Sequence, residues 1–458
     1  MTSQQQTPIA GPRPKPWLGN VADFGRDPLG FITGAVRDYG SIVRLQIEPH
    51  RDTYLVSDPA LIEHVLVSTN RTFAKGYQRD PIMHRVLGNG LVTSEGNFWL
   101  RQRRLMQPVF HRQRIAGYAG VMVNYTGRML ATWRVGEIRD LHADLMQLTM
   151  EIIAKTIFDV DLHHDAEAAS VGQALNTVLE EYNRQMTSVY RAVLSRLPIR
   201  LPVPGEQRLH RAVAQLDQLI YRLIRERRGD KQERDDLLTL LLATRDEDGS
   251  EMTDTQLRDE VLTLFLAGHE TTANALSWAW YLLGSHPATA ARLRVELATV
   301  LAGRAPTLAD IPHLTYTNQI IKEAMRLYPP VWWISRETLE DWPVGEHVIP
   351  AGAEVSLSQW VLHRSPELYN QPDAFRPERW TEAFERSLPK YAYFPFGGGP
   401  RLCIGNSFAL MEAALLLSTI AQQFDLKLVP GYLVVPEPSI TLRPQHGLKV
   451  ELTRNQER

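Results

Sequence analysis

The sequence predicts a mainly α protein with a large helical body and a small β-rich lobe near its N-terminus. From Asp58 to about Ile334 the apolar spacing is helical almost throughout. Two short alternating runs at 42–47 and 53–57 flank a turn at 48–52 and read as a hairpin. Strand signals then return only at 335–358 and from Leu426 onward.

Taken in order, residues 1–20 are polar and then proline-rich, and read as a flexible extension ahead of a single domain at 21–458. Residues 27–39 carry a helical pattern before the hairpin. Asp58-Pro59 is a cap followed by proline, the ordinary start of a helix. A proline-rich connection at 197–205 interrupts the helical body, and Thr253-Asp254 caps its longest apolar stretch, 261–284. That stretch could span a bilayer, but His269, Glu270, Thr271 and Thr272 lie at its centre, which lipid penalises by several kcal/mol. It reads as a long helix through the middle of a large protein. His286-Pro287 opens the next helix, and Pro343, Pro350 and Gly352 mark turns between the later short strands.

The chain has 458 residues, 44% hydrophobic and 22% charged, with a formal net charge of −2. No basic surplus or Lys/Arg-rich tract points to nucleic acid. With a single cysteine no intrachain disulfide framework forms, so a reducing, cytoplasmic setting is expected. The N-terminal residues have neither a signal-peptide core nor a transmembrane anchor.

That cysteine, Cys403, follows three glycines in Phe396-Gly397-Gly398-Gly399-Pro400-Arg401-Leu402-Cys403-Ile404-Gly405 and precedes a helical apolar run at 408–420. Glycines permit close backbone approach and left-handed conformations. A helix N-terminus offers N–H groups and a positive dipole end. Such a setting is expected to lower the thiol pKa and yield a metal-binding thiolate; the plainer reading is a buried structural cysteine.

Phe396, Gly399, Arg401, Cys403 and Gly405 stand at the spacing Phe-x-x-Gly-x-Arg-x-Cys-x-Gly, which resembles the haem-ligand loop of the cytochrome P-450 superfamily. The resemblance runs from about residue 10 to the end. It implies the fold of that superfamily and a haem b whose iron is held by the Cys403 thiolate, with Arg401 on a propionate and Phe396 beside the sulfur. Thiolate ligation favours O–O cleavage. Trp99 and Arg103 resemble a Trp-x-x-x-Arg element that reaches a propionate, with Arg336 and Lys75 as further candidates. Ala267-Gly268-His269-Glu270-Thr271-Thr272 resembles the oxygen-activation groove, with Glu270 and Thr271 as its acid–alcohol pair. Glu323 and Arg326, with Arg379 in Phe375-Arg376-Pro377-Glu378-Arg379-Trp380, resemble a buried network that holds the cysteine loop.

The motif frame assigns Leu91, Val92, Leu266, Ala267, Val331 and Trp332 to the substrate pocket. All are apolar, so a hydrophobic substrate such as a fatty acid, terpenoid or steroid is expected. Arg51 and Tyr54 are candidates for holding a carboxylate at the channel mouth, and 197–205 falls where relatives carry an entrance lid. Arg101, Arg103, Arg104, Arg112 and Arg114 form a basic cluster for docking an acidic electron donor. The chain stops soon after Cys403, so electrons are expected from a ferredoxin or flavodoxin served by an NAD(P)H-dependent reductase. The activity implied is a monooxygenase that hydroxylates or epoxidises its substrate with dioxygen. A peroxide-driven peroxygenase of the same fold and a non-catalytic haem-thiolate sensor are the alternatives.

Overall fold

The computed structural model describes residues 8–48, 51–68, 72–76, 81–161, 166–186, 205–230, 234 and 236–454. The proline-rich connection thus lies outside the described residues apart from Gly205, which opens a helix with φ 88°.

Side-chain caps start the early helices where the sequence places them. The Gly30 N–H donates to Asp27 Oδ1 at 2.9 Å at the head of α1 (Pro28–Tyr39). The Ala60 and Leu61 N–H groups donate to Asp58 Oδ1 at 2.9 Å at the head of α2 (Pro59–Val67). These bonds satisfy donors that a helix leaves unpaired at its start.

The strands are β1 (Ile42–Glu48), β2 (Arg51–Val56), β3 (Phe73–Ala74), β4 (Ile138–Asp140), β5 (Ile334–Thr338), β6 (Trp342–Val344), β7 (His347–Ile349), β8 (Glu354–Leu357), β9 (Phe424–Leu428), β10 (Pro436–Pro438), β11 (Leu442–Pro444) and β12 (Lys449–Arg454). β1 and β2 form the expected antiparallel hairpin and belong to a five-stranded sheet ordered β1-β2-β8-β5-β3. β8 runs parallel to β2, with Tyr54 opposite Val355. The C-terminal strands complete a β4-β12-β9 sheet and a β10-β11 hairpin.

The described part of the proline-rich N-terminus is bound to this lobe rather than loose. The Arg44 N–H donates to Ala10 O at 3.0 Å, and the Asn20 N–H to Gln46 O at 2.7 Å. A side chain at Gly11 would place its Cβ 1.9 Å from the Arg44 carbonyl oxygen, so the tail lies tight against β1.

The site is lined from α3 (Pro81–Leu87), α4 (Gly96–Met106), α5 (Leu141–Phe158), α7 (Asp254–Ser285), α8 (Thr315–Leu327) and α9 (Asn406–Gln423), while α6 (Glu206–Gly229) packs on α7 outside the lining. α7 spans 32 residues and opens on a capping box between Thr253 and Gln256. It is buried along most of its length, as expected of a central helix, and packs along α5. There Thr149 Oγ1 donates to His269 O at 2.9 Å. Among the described residues no helix is long and apolar enough to cross a membrane.

Candidate active site

The cysteine loop is shaped by residues without a β-carbon. Gly397 and Gly399 have φ of 71° and 60°, a region that favours glycine. Gly399 also presses on the end of α2, where a Cβ would lie 2.2 Å from Leu66 O. The Cys403 N–H donates to Phe396 O at 3.0 Å, closing the loop just before α9. The side chain is open to an internal cavity but otherwise enclosed by protein.

That enclosure corrects the expected thiol acidity. Burial pushes the Cys403 thiol above its ordinary value, while the Gly405 N–H and Arg103 pull the other way. Desolvation is the largest of these influences, and the Gly405 N–H and Arg103 are the groups that favour the anion.

The cavity has a volume of about 440 Å³. Cys403 and Phe396 form one side; Leu266, Ala267, Glu270 and Thr271 of α7 are also in its lining, as are Leu91, Val92 and Val331. Trp332 is not. Its Nε1 donates to Ser439 O at 2.8 Å and its ring is buried among Leu29, Ile32 and Val361. Trp333 and Ile334 line the cavity in its place. Packing on the Leu29, Ile32 and Val361 cluster and the bond to Ser439 take Trp332 out of a lining that its neighbours Val331, Trp333 and Ile334 share.

Arg51 and Tyr54 are likewise corrected. Arg51 is ion-paired to Glu337 at 3.2 Å and to Glu354 at 3.4 Å, and Tyr54 is packed in the core of the β lobe with Val56 and Ile62. Neither lines the cavity, and the two carboxylates already on Arg51 leave it ill placed to hold another.

Lys75, Arg103, Arg336 and Arg401 converge on the cavity from four separate segments. Arg401 lies over the Trp99 ring at 3.6 Å, donates to Ser94 O at 3.0 Å and is ion-paired with Glu95. Burial and the nearby Arg336 and Arg103 push its guanidinium down to about 10 against the pull of Glu95. Lys75 is driven well below its ordinary value by burial, then by Arg401 and Arg336. Its Nζ donates to Leu91 O at 3.1 Å and Val92 O at 2.9 Å, which ties it to the cavity wall. Cations this crowded repel one another unless anions come between them. A sulfur facing an apolar cavity with such a cationic rim fits an iron macrocycle carrying two propionates.

Glu270 and Thr271 lie side by side in α7 but have different partners. Thr271 Oγ1 donates to Ala267 O at 2.8 Å. Glu270 is buried and accepts from Thr441 Oγ1 at 2.7 Å, while Asn274 Nδ2 donates to that same hydroxyl at 3.0 Å. Thr441 sits just before β11, and no local signal in the sequence pointed to it.

The family model for cytochrome P450 matches residues 9–451. The chain belongs to the cytochrome P450 family.

Relatives of this P450 include cyclooctatin synthase of Streptomyces melanosporofaciens, 38% identical over 93% of this chain and 92% of the relative. Pentalenene oxygenase of Streptomyces avermitilis is 35% identical over 98% of both chains. The crystal structure of the cytochrome P450DA heme domain superposes with a TM-score of 0.88 at 28% identity, covering 98% of each chain. A cyanobacterial CYP120A1 bound to retinoic acid gives 0.86 at 26% identity, covering 98% of this chain and 100% of the other. The enzyme is a P450 monooxygenase with the family's mainly helical fold.

In this P450 a buried charge network ties α8 to the segment at 363–380. Glu323 Oε2 and Oε1 accept from Arg326 at 2.8 and 2.9 Å, and Oε1 also accepts from Arg379 Nε at 2.9 Å. Trp380 Nε1 adds a bond to Glu323 Oε2 at 2.9 Å. Arg326 further donates to the carbonyls of His363, Pro372 and Ala374, so α8 is fastened to the segment that leads into the loop.

The basic cluster is partly neutralised. Arg101 pairs with Asp246 at 2.6 Å and Arg104 with Glu247 at 3.3 Å. Arg114 is exposed, and the Arg112 side chain lies outside the described residues.

Proposed function

We propose that this P450 binds haem b through the Cys403 thiolate and hydroxylates or epoxidises a terpenoid. The observation that carries this reading is Cys403 and the Glu270–Thr271 pair lining one apolar cavity. The relatives named for cyclooctatin and pentalenene oxidation direct the substrate class toward terpenoids. When bound, the haem supplies dioxygen activation and the transfer of one oxygen atom to the substrate.

The chain's own residues bind, orient and move protons. Arg103, Arg336 and Arg401 would hold the two propionates, with Trp99 stacked on Arg401; Lys75 would be the lesser partner because its ammonium serves Leu91 and Val92. The N–H of Gly405 faces the sulfur and moderates its donor strength. The Thr271 hydroxyl, which donates to Ala267 O, would turn toward the cavity to donate a hydrogen bond to a ligand held there. Glu270, held in place by the Thr441 hydroxyl and through it by Asn274, would be the acid that exchanges protons beside Thr271. Leu91, Val92, Leu266, Ala267 and Val331 exclude water around the substrate, and Phe396 packs at the sulfur. Glu323, Arg326 and Arg379 keep the loop in register. Electrons come from a ferredoxin or flavodoxin with its NAD(P)H-dependent reductase, in the cytoplasm, to one haem domain at 21–458.

The test is spectral. The purified, reduced protein under carbon monoxide is expected to show the red-shifted Soret band of thiolate-ligated haem. Titration of the ferric protein with terpenoids, fatty acids and steroids is expected to displace water from iron with terpenoids first. A haem-loaded protein without the red-shifted band refutes thiolate ligation, and a preference for fatty acids refutes the substrate class.

A further inference from the structure

Leu91 and Val92 wall the cavity from a loop between α3 and α4 that has no regular structure of its own. Its backbone is held by buried side chains instead. The Leu91 N–H donates to Glu260 Oε2 at 2.8 Å, and the Asn89 N–H to Asp259 Oδ2 at 2.8 Å. From the opposite side Lys75 Nζ takes the carbonyls of Leu91 and Val92. Gly88 and Gly90 allow the loop to lie flush on α7. A Cβ on Gly88 would come within 2.1 Å of Asp259 Oδ1, and one on Gly90 within 2.2 Å of Thr263 Oγ1.

The two carboxylates are differently supported. Asp259 is ion-paired with Arg258 at 2.9 Å, and Arg258 is fastened to Asp217 of α6 at 2.6 Å. Glu260 is fully buried, and its Oε1 has no hydrogen-bond partner among the described residues. Burial pushes its carboxyl up to about 8. A buried acid with an unused oxygen costs stability. The bond to the wall of the cavity is the use this fold makes of it.

We propose that Glu260 is a positioning residue for ligand binding: by holding Leu91 N–H it sets how closely the Leu91 and Val92 wall encloses a bulky molecule. This rests on the reading of the cavity as the haem and substrate site. It adds a determinant remote from the reacting atoms, on α7 well before the Glu270–Thr271 pair.

The test uses haem-loaded protein and two azole probes read by their spectral shift on iron. Imidazole is small and reports on the iron; 4-phenylimidazole must also fit under the wall. Glu260→Ala is expected to weaken 4-phenylimidazole about tenfold, the worth of one hydrogen bond, while imidazole binding stays unchanged. Deuterium exchange in the peptide covering 88–92 is expected to rise in the same variant. Glu260→Gln keeps an acceptor and is expected to bind both probes as the parent does. Gly90→Ala disturbs the same wall from the loop side, is expected to be equally probe-selective, and decides the matter if Glu260→Ala does not fold. Equal changes for both probes, or none, overturn the proposal. A haem-loaded parent that gives no azole shift at all instead overturns the reading of this cavity as the space over the iron.

Discussion

Replacing Arg326 with alanine removes a guanidinium that is fully buried together with Glu323. The carboxylate left behind would keep Arg379 and Trp380 but lose the closer of its charge partners. Breaking one side of a buried ion pair costs about 3–5 kcal/mol. Arg326→Ala is therefore expected to lower the denaturation midpoint and the haem content of the purified protein; a stable, fully haem-loaded variant would show that the network is dispensable. At the pair proposed to deliver protons, Thr271→Val keeps the volume and removes the hydroxyl. Product formation is expected to drop by about 10²-fold, the scale of a lost proton-transfer group, while NAD(P)H consumption continues. Product counted per NAD(P)H consumed checks this. The residues of both sites could be picked out one by one, because each stands in a short motif. Their partners could not: Thr441 meets Glu270 across 171 positions, and such proximity leaves no trace in local spacing.

Between β5 and the turn before it, neighbouring tryptophans have opposite uses. Trp332 is a packing residue anchored to Ser439, and Trp333 is a cavity residue bonded to Ser335 Oγ at 2.9 Å. Trp332→Ala is expected to cost about 3–5 kcal/mol of stability, as large-to-small changes in a core do, and to leave ligand affinity alone in the correctly folded fraction. Trp333→Ala is expected to change the affinity of bulky azoles with a smaller loss of stability. Thermal denaturation beside azole titration separates the two. The helices and the first hairpin were readable because caps, prolines and apolar spacing act within a turn or two. The side on which 332 faced was not, because it is set by distant partners, the Ser439 carbonyl and the Leu29 and Ile32 side chains.

At the scale of the whole molecule, the contact between α5 and α7 carries a titratable group. His142 of α5 lies near Ser277 of α7 at 3.1 Å, and burial pushes its imidazole down to about 4. In the unfolded chain it titrates near 6.5, so between these values the unfolded state binds the extra proton. Stability from this group is complete above about pH 6.5 and is lost as pH falls through 4. His142→Gln is expected to lose less stability than the parent between pH 7 and pH 5 in denaturant titrations. An identical loss in both proteins would assign the acid sensitivity elsewhere. The pressed-down N-terminus follows the same logic of scale: its proline-rich composition reads as loose, yet the β1 edge supplies partners for Ala10 and Asn20 that composition alone does not reveal.

By itself the sequence determined the family, and it singled out the cysteine loop, the acid and alcohol at the centre of the long helix, and the early caps, since each of these motifs is written within about ten consecutive residues. Only the tertiary structure decided that β2 runs beside β8, that Arg51 is occupied by Glu337 and Glu354, that burial raises rather than lowers the Cys403 thiol, and that Glu260 holds the cavity wall. The reason is physical. Periodicity and capping are short-range preferences of the chain, whereas desolvation and pairing depend on which distant segments the packed interior brings together.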